Sequence, residues 1–294
     1  MALDIIPQYN RILDITLIAD NGQKLCITCP RRGRKPSIEL NASYAGNQNL
    51  MPFNITVKNL YIDLLSTKYA TIKITAGYEN NHIPMEGTIM SIYQESPGPE
   101  GRTVIQCEFG KYQTWLDASV DLDYDAGTSL ETILNEIKTK LGAYSITLRG
   151  TAAGLTTKEP FNHAGTARGA LAKLEKQFQD SKLHLFIRND MLCGVCYTDN
   201  SGYIISHKLE YMSAPPQANA GGEEGSAYTT ITAPWIPQLK VGDRLEIPQR
   251  VYMRFFSTVG KGKATQFIQV TTMSIHFGTT GGVNSMTVQG FNVK

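Results

Sequence analysis

Hydrophobic and polar residues alternate through much of the first third of the chain. Runs of period two occur at Asp14-Ile15-Thr16-Leu17-Ile18, Asn54-Ile55-Thr56-Val57, Thr71-Ile72-Lys73-Ile74-Thr75, Thr88-Ile89-Met90-Ser91-Ile92-Tyr93 and Thr103-Val104-Ile105-Gln106-Cys107-Glu108-Phe109. Successive side chains of a strand point to opposite faces, so each run predicts a half-buried β-strand. In the last of them Thr103, Ile105, Cys107 and Phe109 are expected to face a core, and Val104, Gln106 and Glu108 to face water. The turn signals Asp20-Asn21-Gly22, Tyr78-Glu79-Asn80-Asn81 and Ser96-Pro97-Gly98-Pro99 fall between the runs. Short strands at this spacing, from Ile12 to about Phe109, predict a small barrel or sandwich.

The period then changes. Leu130, Ile133, Leu134, Ile137 and Leu141 fall on one stripe of a helix predicted over Thr128 to Leu141, with Thr128 as cap, Glu131 completing a capping box and Gly142 as stop. A strand at Tyr144 to Leu148 follows. A second helix, from about Thr166 to Gln179, would bury Ala167, Ala170, Leu171, Leu174 and Phe178. Leu183 to Ile187 and Met191 to Cys196 read as a hairpin around Asn189-Asp190. Together these make a compact α+β insert.

Alternation resumes toward the C-terminus, at Tyr228 to Ile231, Arg244 to Ile247, Val251 to Phe256, Phe267 to Phe277 and Ser285 to Phe291. Pro234 to Pro248 reads as a strand, a tight turn at Val241-Gly242-Asp243 and a second strand, with Leu245 and Ile247 inward. Ala214 to Ser226 lacks bulky apolar residues and is expected to be a mobile surface loop, and Gly260-Lys261-Gly262-Lys263 a hairpin tip. The chain is therefore expected to be mainly β with an α+β insert, divided into a first β domain over 1–115, a middle α+β domain over 116–208 and a second β domain over 209–294. The two β domains have similar strand density, as distant structural duplicates would.

Composition narrows the function classes. A chain of 294 residues with 41% hydrophobic side chains buries more than one sizeable core. Its apolar runs are far shorter than a membrane span, and the opening MALDIIPQYNRILDI lacks the unbroken apolar stretch of a signal peptide, so folding in the cytoplasm is the expectation. A net charge of +2 supplies no global field to recruit nucleic acid or an anionic membrane. Five cysteines, an odd count, favour reduced and mostly buried thiols over a disulfide framework.

Few constellations suggest chemistry. Cys26/Cys29 and Cys193/Cys196 form two C-x-x-C pairs, and four thiolates at those spacings would close a tetrahedral zinc site. Residues i and i+3 of a strand point apart, however, so ordinary strand cysteines are the preferred reading, and a metal or cluster at Cys26, Cys29, Cys193 and Cys196 stays open. Asp121, Asp123 and Asp125 resemble the start of a calcium loop, but Gly127 comes one position late and Thr132 stands where the bidentate Glu belongs. They are read instead as outward carboxylates of a strand whose Val120, Leu122 and Tyr124 point inward. The basic run Arg31, Arg32, Arg34 and Lys35 has no interleaved aromatic and reads as a solvated loop or protein contact rather than a nucleic-acid surface. His82, His163, His184, His207 and His276 show no pair at metal spacing; His184 and His276 fall within predicted strands, as hydrogen-bonded structural histidines. No nucleophile elbow or phosphate loop is present, so no catalytic residue, cofactor site or metal site is assigned and the chain is not read as an enzyme.

The chain resembles the hub proteins of phage tails and contractile injection systems, the group that includes the late control protein D family. The likeness rests on Ile74-Thr75-Ala76-Gly77-Tyr78, Met85-Glu86-Gly87-Thr88-Ile89, Gly98-Pro99 ahead of Thr103 to Gly110, the helix at Thr128 to Leu141, Pro237-Gln238-Leu239-Lys240-Val241-Gly242-Asp243, and Thr271 to Phe277 ending Ser274-Ile275-His276-Phe277. It implies two small tube-like β-barrel domains flanking the α+β domain. It also implies a homotrimer whose six barrels surround a channel and match a sixfold tail tube to a threefold spike. Expected partners are further copies of the chain, the tail tube protein, a spike or tip protein and the tape-measure protein, with no membrane and no specific nucleic acid. The implied location is the virion tail or baseplate, assembled in the bacterial host cytoplasm. No lysozyme or spike module is recognised, and the C-x-x-C pairs are not part of the family pattern. The rival from another class is an OB-like binding module for nucleic acid or glycan; a metal-dependent enzyme using the cysteines is a lesser one.

Overall fold

The computed structural model describes residues 10–28, 37–45, 52–60, 68–95, 101–109, 115–143, 145–188, 191–197, 199, 202–213, 216–219, 228–248, 251, 265–280 and 284–293. Seven strands come first: β1 (Arg11–Ala19), β2 (Lys24–Ile27), β3 (Ile38–Ala45), β4 (Pro52–Lys58), β5 (Tyr69–Tyr78), β6 (Asn81–Glu95) and β7 (Arg102–Phe109). The insert holds β8 (Ser119–Tyr124), α1 (Leu130–Leu141), β9 (Ser145–Leu148), β10 (Phe161–Thr166), α2 (Ala167–Gln177), β11 (Leu183–Arg188) and β12 (Met191–Cys196). The last strands are β13 (Ser206–Lys208), β14 (Gln217–Asn219), β15 (Tyr228–Ala233), β16 (Arg244–Ile247), β17 (Gln266–Gly278) and β18 (Ser285–Val293).

The expected class is observed, mainly β with a small α+β insert. What the sequence pattern did not carry is how the two β regions meet. They form one 13-stranded sheet in the order β14-β15-β18-β17-β3-β4-β7-β6-β5-β1-β2, with β16 and β13 attached beside β17. β17 is the common member. Its first residues, Gln266 to Gln269, oppose β16, while Thr272 to Gly278 oppose Ala45 to Glu39 of β3; β18 runs along its other edge. Period-two burial follows: β1 buries Leu13, Ile15, Leu17 and Ala19, and β17 buries Met273, Ile275 and Phe277. Apart from Ala19, those side chains join Phe53, Ile55, Ile105, Trp235, Leu245 and Val288 in one apolar cluster drawn from both β regions. A fully buried aliphatic or aromatic side chain contributes about 1.5–3 kcal/mol, so the shared core makes the two regions one packed body.

Several sequence expectations shift. β6 is longer than the predicted run and carries a bulge between Ile89 and Ser91 that turns Met90 out to 59% exposure. Val104 is buried, not wet: in register it lies between Thr56 of β4 and Tyr93 of β6, whose side chains share its face. Pro234 to Lys240 is not a strand. Its prolines lack amide hydrogens, Leu239 N–H bonds the Ile236 carbonyl, and the segment drives Trp235 and Leu239 into the core as turns. Within the expected loop Ala214 to Ser226, Gln217–Asn219 pairs with β15 as β14, and 220–226 lies outside the described residues. The expected strand Val251 to Phe256 lies outside them beyond Val251, as do Gly260 to Lys263 and Ser96 to Pro99.

In the insert, α1 is capped by Ser129, whose side chain accepts the Thr132 N–H at 3.1 Å; the expected cap, Thr128, instead bonds back to the Asp125 carbonyl. Glu131 is therefore a first-turn acid and not the capping-box partner. Gly142 closes the helix in the left-handed region at φ 66°, as its position foretold. α2 is capped by Thr166 through the Gly169 N–H. Both helices press their stripes onto a second core that includes Phe161, Leu185, Leu192 and Cys196. β12 runs parallel to β9 and antiparallel to β11 in a three-stranded sheet. One face of that sheet meets the helices. The other carries Phe186, Cys193, Val195 and Tyr197 against Val241 of the C-terminal β region. No helix among the described residues is long and apolar enough to cross a membrane.

Candidate functional site

The densest polar cluster lies where that second face of the insert meets the turn Lys240-Val241-Gly242-Asp243. The turn is fixed by its own residues. Asp243 N–H bonds the Lys240 carbonyl at 3.1 Å, and the Asp243 carboxylate takes the Lys240 N–H at 3.0 Å. Gly242 adopts φ 83°, and a Cβ there would stand 2.3 Å from Cζ of Phe186, so both backbone conformation and space require glycine. Two backbone bonds, Gly242 N–H to Val270 and Val270 N–H to Asp243, stitch the turn to β17.

Asp243 is fully buried, and its two oxygens are shared among four donors. Oδ1 accepts Arg188 Nη1 at 2.5 Å and the Ile205 N–H at 3.1 Å; Oδ2 accepts the Lys240 N–H and faces His207 Nε2 at 3.1 Å. Arg188, itself 7% exposed, also reaches the Val241 carbonyl at 3.4 Å. Arg188 comes from β11, on the face that carries Phe186, so strand periodicity delivers the guanidinium to the turn. A buried carboxylate is tolerable only when paired and hydrogen-bonded, and this one is both. Nearby, burial together with the Arg188 charge holds Lys240 below the ordinary lysine range, while Asp243 pulls the other way. The Arg244 guanidinium sits over Tyr203 at 3.9 Å and Phe267 at 4.7 Å, tying β16 to the segment ahead of β13 and to β17.

Each oxygen of Asp243 already accepts from two donors, so this carboxylate is not free to act as a base or a ligand. Its chemistry is positional: it locks the α+β insert to the C-terminal β region. Sequence reading singled out Val241-Gly242-Asp243 as a turn and missed its partner, because Arg188 lies 55 positions upstream and no local pattern links the two.

The other sequence candidates fall apart in space. Cys193 and Cys196 point to opposite sides of β12, Cys193 into the junction cluster and Cys196 into the helix-facing core, as i and i+3 of a strand must. Burial pushes each thiol up to about 11, and Cys107 up to about 12. Cys26 is exposed on β2, where the Thr16 hydroxyl approaches its sulfur at 3.7 Å; Cys29 and the run Arg31 to Lys35 lie outside the described residues. Among the described residues no three of His, Cys, Asp and Glu converge as a metal site. Asp121 and Asp123 are exposed on β8 with Val120 and Leu122 buried behind them. His184 Nδ1 meets Glu175 Oε1 at 3.1 Å, as a structural histidine does, whereas His276 lies on the exposed face of β17.

No protein-family model and no curated protein sequence matches the chain. Solved structures do. A tail protein from Neisseria meningitidis MC58 superposes with a TM-score of 0.58 at 9% identity, covering 96% of each chain. The 43 kDa tail protein of prophage MuSo2 from Shewanella oneidensis does so with a TM-score of 0.57 at 12% identity, covering 95% of this chain and 97% of its own. A type VI secretion component of E. coli, described as structurally similar to the phage T4 tail proteins gp27 and gp5, gives 0.52 at 10% identity over 89% of this chain and 75% of its own. At such identities the likeness is one of fold, and over nearly its whole length this chain has the fold of those two tail proteins.

Proposed function

We propose that the chain is a structural hub of a phage tail or related contractile injection system, a homotrimer that adapts a sixfold tail tube to a threefold spike or tip. The observation that carries this reading is the fusion of the two β regions through β17 into one sheet over one core, in a fold shared end to end with tail proteins. Two β units rigidly fixed within one chain, over 1–115 and 209–294, become six units when three chains close a ring. Such matching demands a constant angle between the units. A shared strand supplies that constancy better than a flexible linker, and the Asp243 cluster holds the 116–208 insert in a set orientation beside them. The tube protein, the spike or tip protein and the tape-measure protein are the partners on this reading, and the tail or baseplate is the location.

Light scattering on a size-exclusion column tests the trimer. The predicted mass is three times the 32.4 kDa of one chain, with co-elution of a tail tube protein and a spike protein added to it. A single-chain mass at every concentration, combined with failure to bind either protein, would remove the proposal.

A further inference from the structure

Four buried polar atoms, on residues that lie at or near the end of β17, have no protein partner among the described residues: Tyr78 Oη, Trp235 Nε1, Asn284 Nδ2 and Asn81 Oδ1. Tyr78, Trp235 and Asn284 are 5%, 2% and 9% exposed. Buried polar groups are almost always satisfied, so these four call for an explanation. The contacts of each residue place it. The Tyr78 and Trp235 rings both pack edge-on against Phe277, with centroids at 5.8 and 4.8 Å. Asn284 Oδ1 accepts the N–H of the next residue, Gly278, at 3.1 Å, which fixes its amide so that Nδ2 is the remaining group. Asn81 stands opposite Tyr78 in the hairpin of β5 and β6, and Arg11, opposite Tyr78 in β1, donates to the Gly278 carbonyl at 3.1 Å. Tyr78 and Asn81 belong to the N-terminal β region, Trp235 and Asn284 to the C-terminal one. The place is thus the seam of the shared core.

The geometry points to an internal hydration site at this seam, a water or short string of waters bridging the two β regions around Phe277. The donor and acceptor count selects the occupant. Trp235 Nε1 and Asn284 Nδ2 only donate, Asn81 Oδ1 only accepts, and Tyr78 Oη does either. One water accepts two bonds and donates two, which meets that set in full. A halide or carboxylate would accept from Trp235 and Asn284 but would face the Asn81 oxygen with negative charge. A metal ion would meet two obligate donors beside the Arg11 guanidinium. In that arrangement Tyr78 Oη accepts from the water, and burial, against a smaller opposing effect of Arg11, raises its phenol above the ordinary range.

The test does not depend on the assembly. A crystal or cryo-EM map that resolves ordered solvent should show density bonded to Tyr78 Oη and Trp235 Nε1. A bromide soak that places anomalous signal there would instead identify an anion and overturn the water. Tyr78→Phe removes only the hydroxyl. With a bridging water it should lower Tm by about 2–4 °C, and its effect should be non-additive with Asn284→Ala although the two side chains do not bond each other. A dry seam gives the opposite sign: Tyr78→Phe would leave Tm unchanged or raise it, and the two substitutions would add independently.

Discussion

Replacing Asp243 by alanine is the sharpest perturbation of the fold. The substitution removes a fully buried carboxylate and strands four donors, Arg188 Nη1, His207 Nε2 and the N–H groups of Ile205 and Lys240. Arg188 is 7% exposed and, among the described residues, keeps only the 3.4 Å contact to the Val241 carbonyl, which carries no counter-charge. Removing one partner of a buried ion pair costs about 3–5 kcal/mol. Arg188→Met leaves Asp243 three of its four donors and should cost less, about 2–3 kcal/mol. Because both changes abolish one interaction, Asp243→Ala with Arg188→Met should be less damaging than the sum, with a coupling of about 1–3 kcal/mol. Urea unfolding followed by near- and far-ultraviolet circular dichroism measures all three variants, and a break into two transitions in Asp243→Ala would show the insert melting apart from the β body. Additive effects, or an Asp243→Ala variant within about 0.5 kcal/mol of wild type, would refute the claim that this cluster locks the insert.

Further outcomes follow from the same structure. Gly242→Ala should destabilise by about 1–3 kcal/mol, since the residue is held at φ 83° with Phe186 Cζ 2.3 Å from the new methyl, and trimming Phe186 to leucine in the same chain should recover part of the loss. Ser129→Ala should cost about 1 kcal/mol of thermal stability and Thr128→Ala clearly less, which decides between the observed cap of α1 and the one its sequence suggests. Alkaline stability should fall through the thiols. Cys193 and Cys196 ionise near 11 when folded and near 9.0 when exposed, so the unfolded chain releases protons first. Their contribution is intact below pH 9 and is lost as pH rises toward 11, at up to about 1.4 kcal/mol per unit for each thiol. A Cys193→Ala, Cys196→Ala chain should show a flatter alkaline limb in pH-dependent unfolding, and an unchanged slope would contradict the burial argument.

Local pattern made some elements readable and left others hidden. The stripe Leu130, Ile133, Leu134, Ile137 and Leu141, the glycine stop at 142 and the hairpin of β11 with β12 emerged from sequence because helix period, strand period and turn chemistry are short-range. The cap moved one residue because Thr128 and Ser129 both suit the position, and only the carbonyl of Asp125 decides which hydroxyl is free to cap. Pro234 to Lys240 imitates a strand in composition, yet its amide-poor backbone is better used in turns that seat Trp235. The pairing of β17 with β3 joins residues more than two hundred positions apart. Nothing local encodes such a match, since both strands simply alternate. The candidate site divides the same way: Gly242 and Asp243 announce a turn, whereas Arg188 in β11 is an ordinary strand residue until the insert folds back onto it.

Imaging of the assembled particle is the most direct test of the hub reading. A reconstruction of the tail end should place three copies of this chain between the sixfold tube and the threefold tip, with the 1–115 and 209–294 regions alternating around the ring. Density showing the chain as a lone subunit, or absent from the tail, would contradict it.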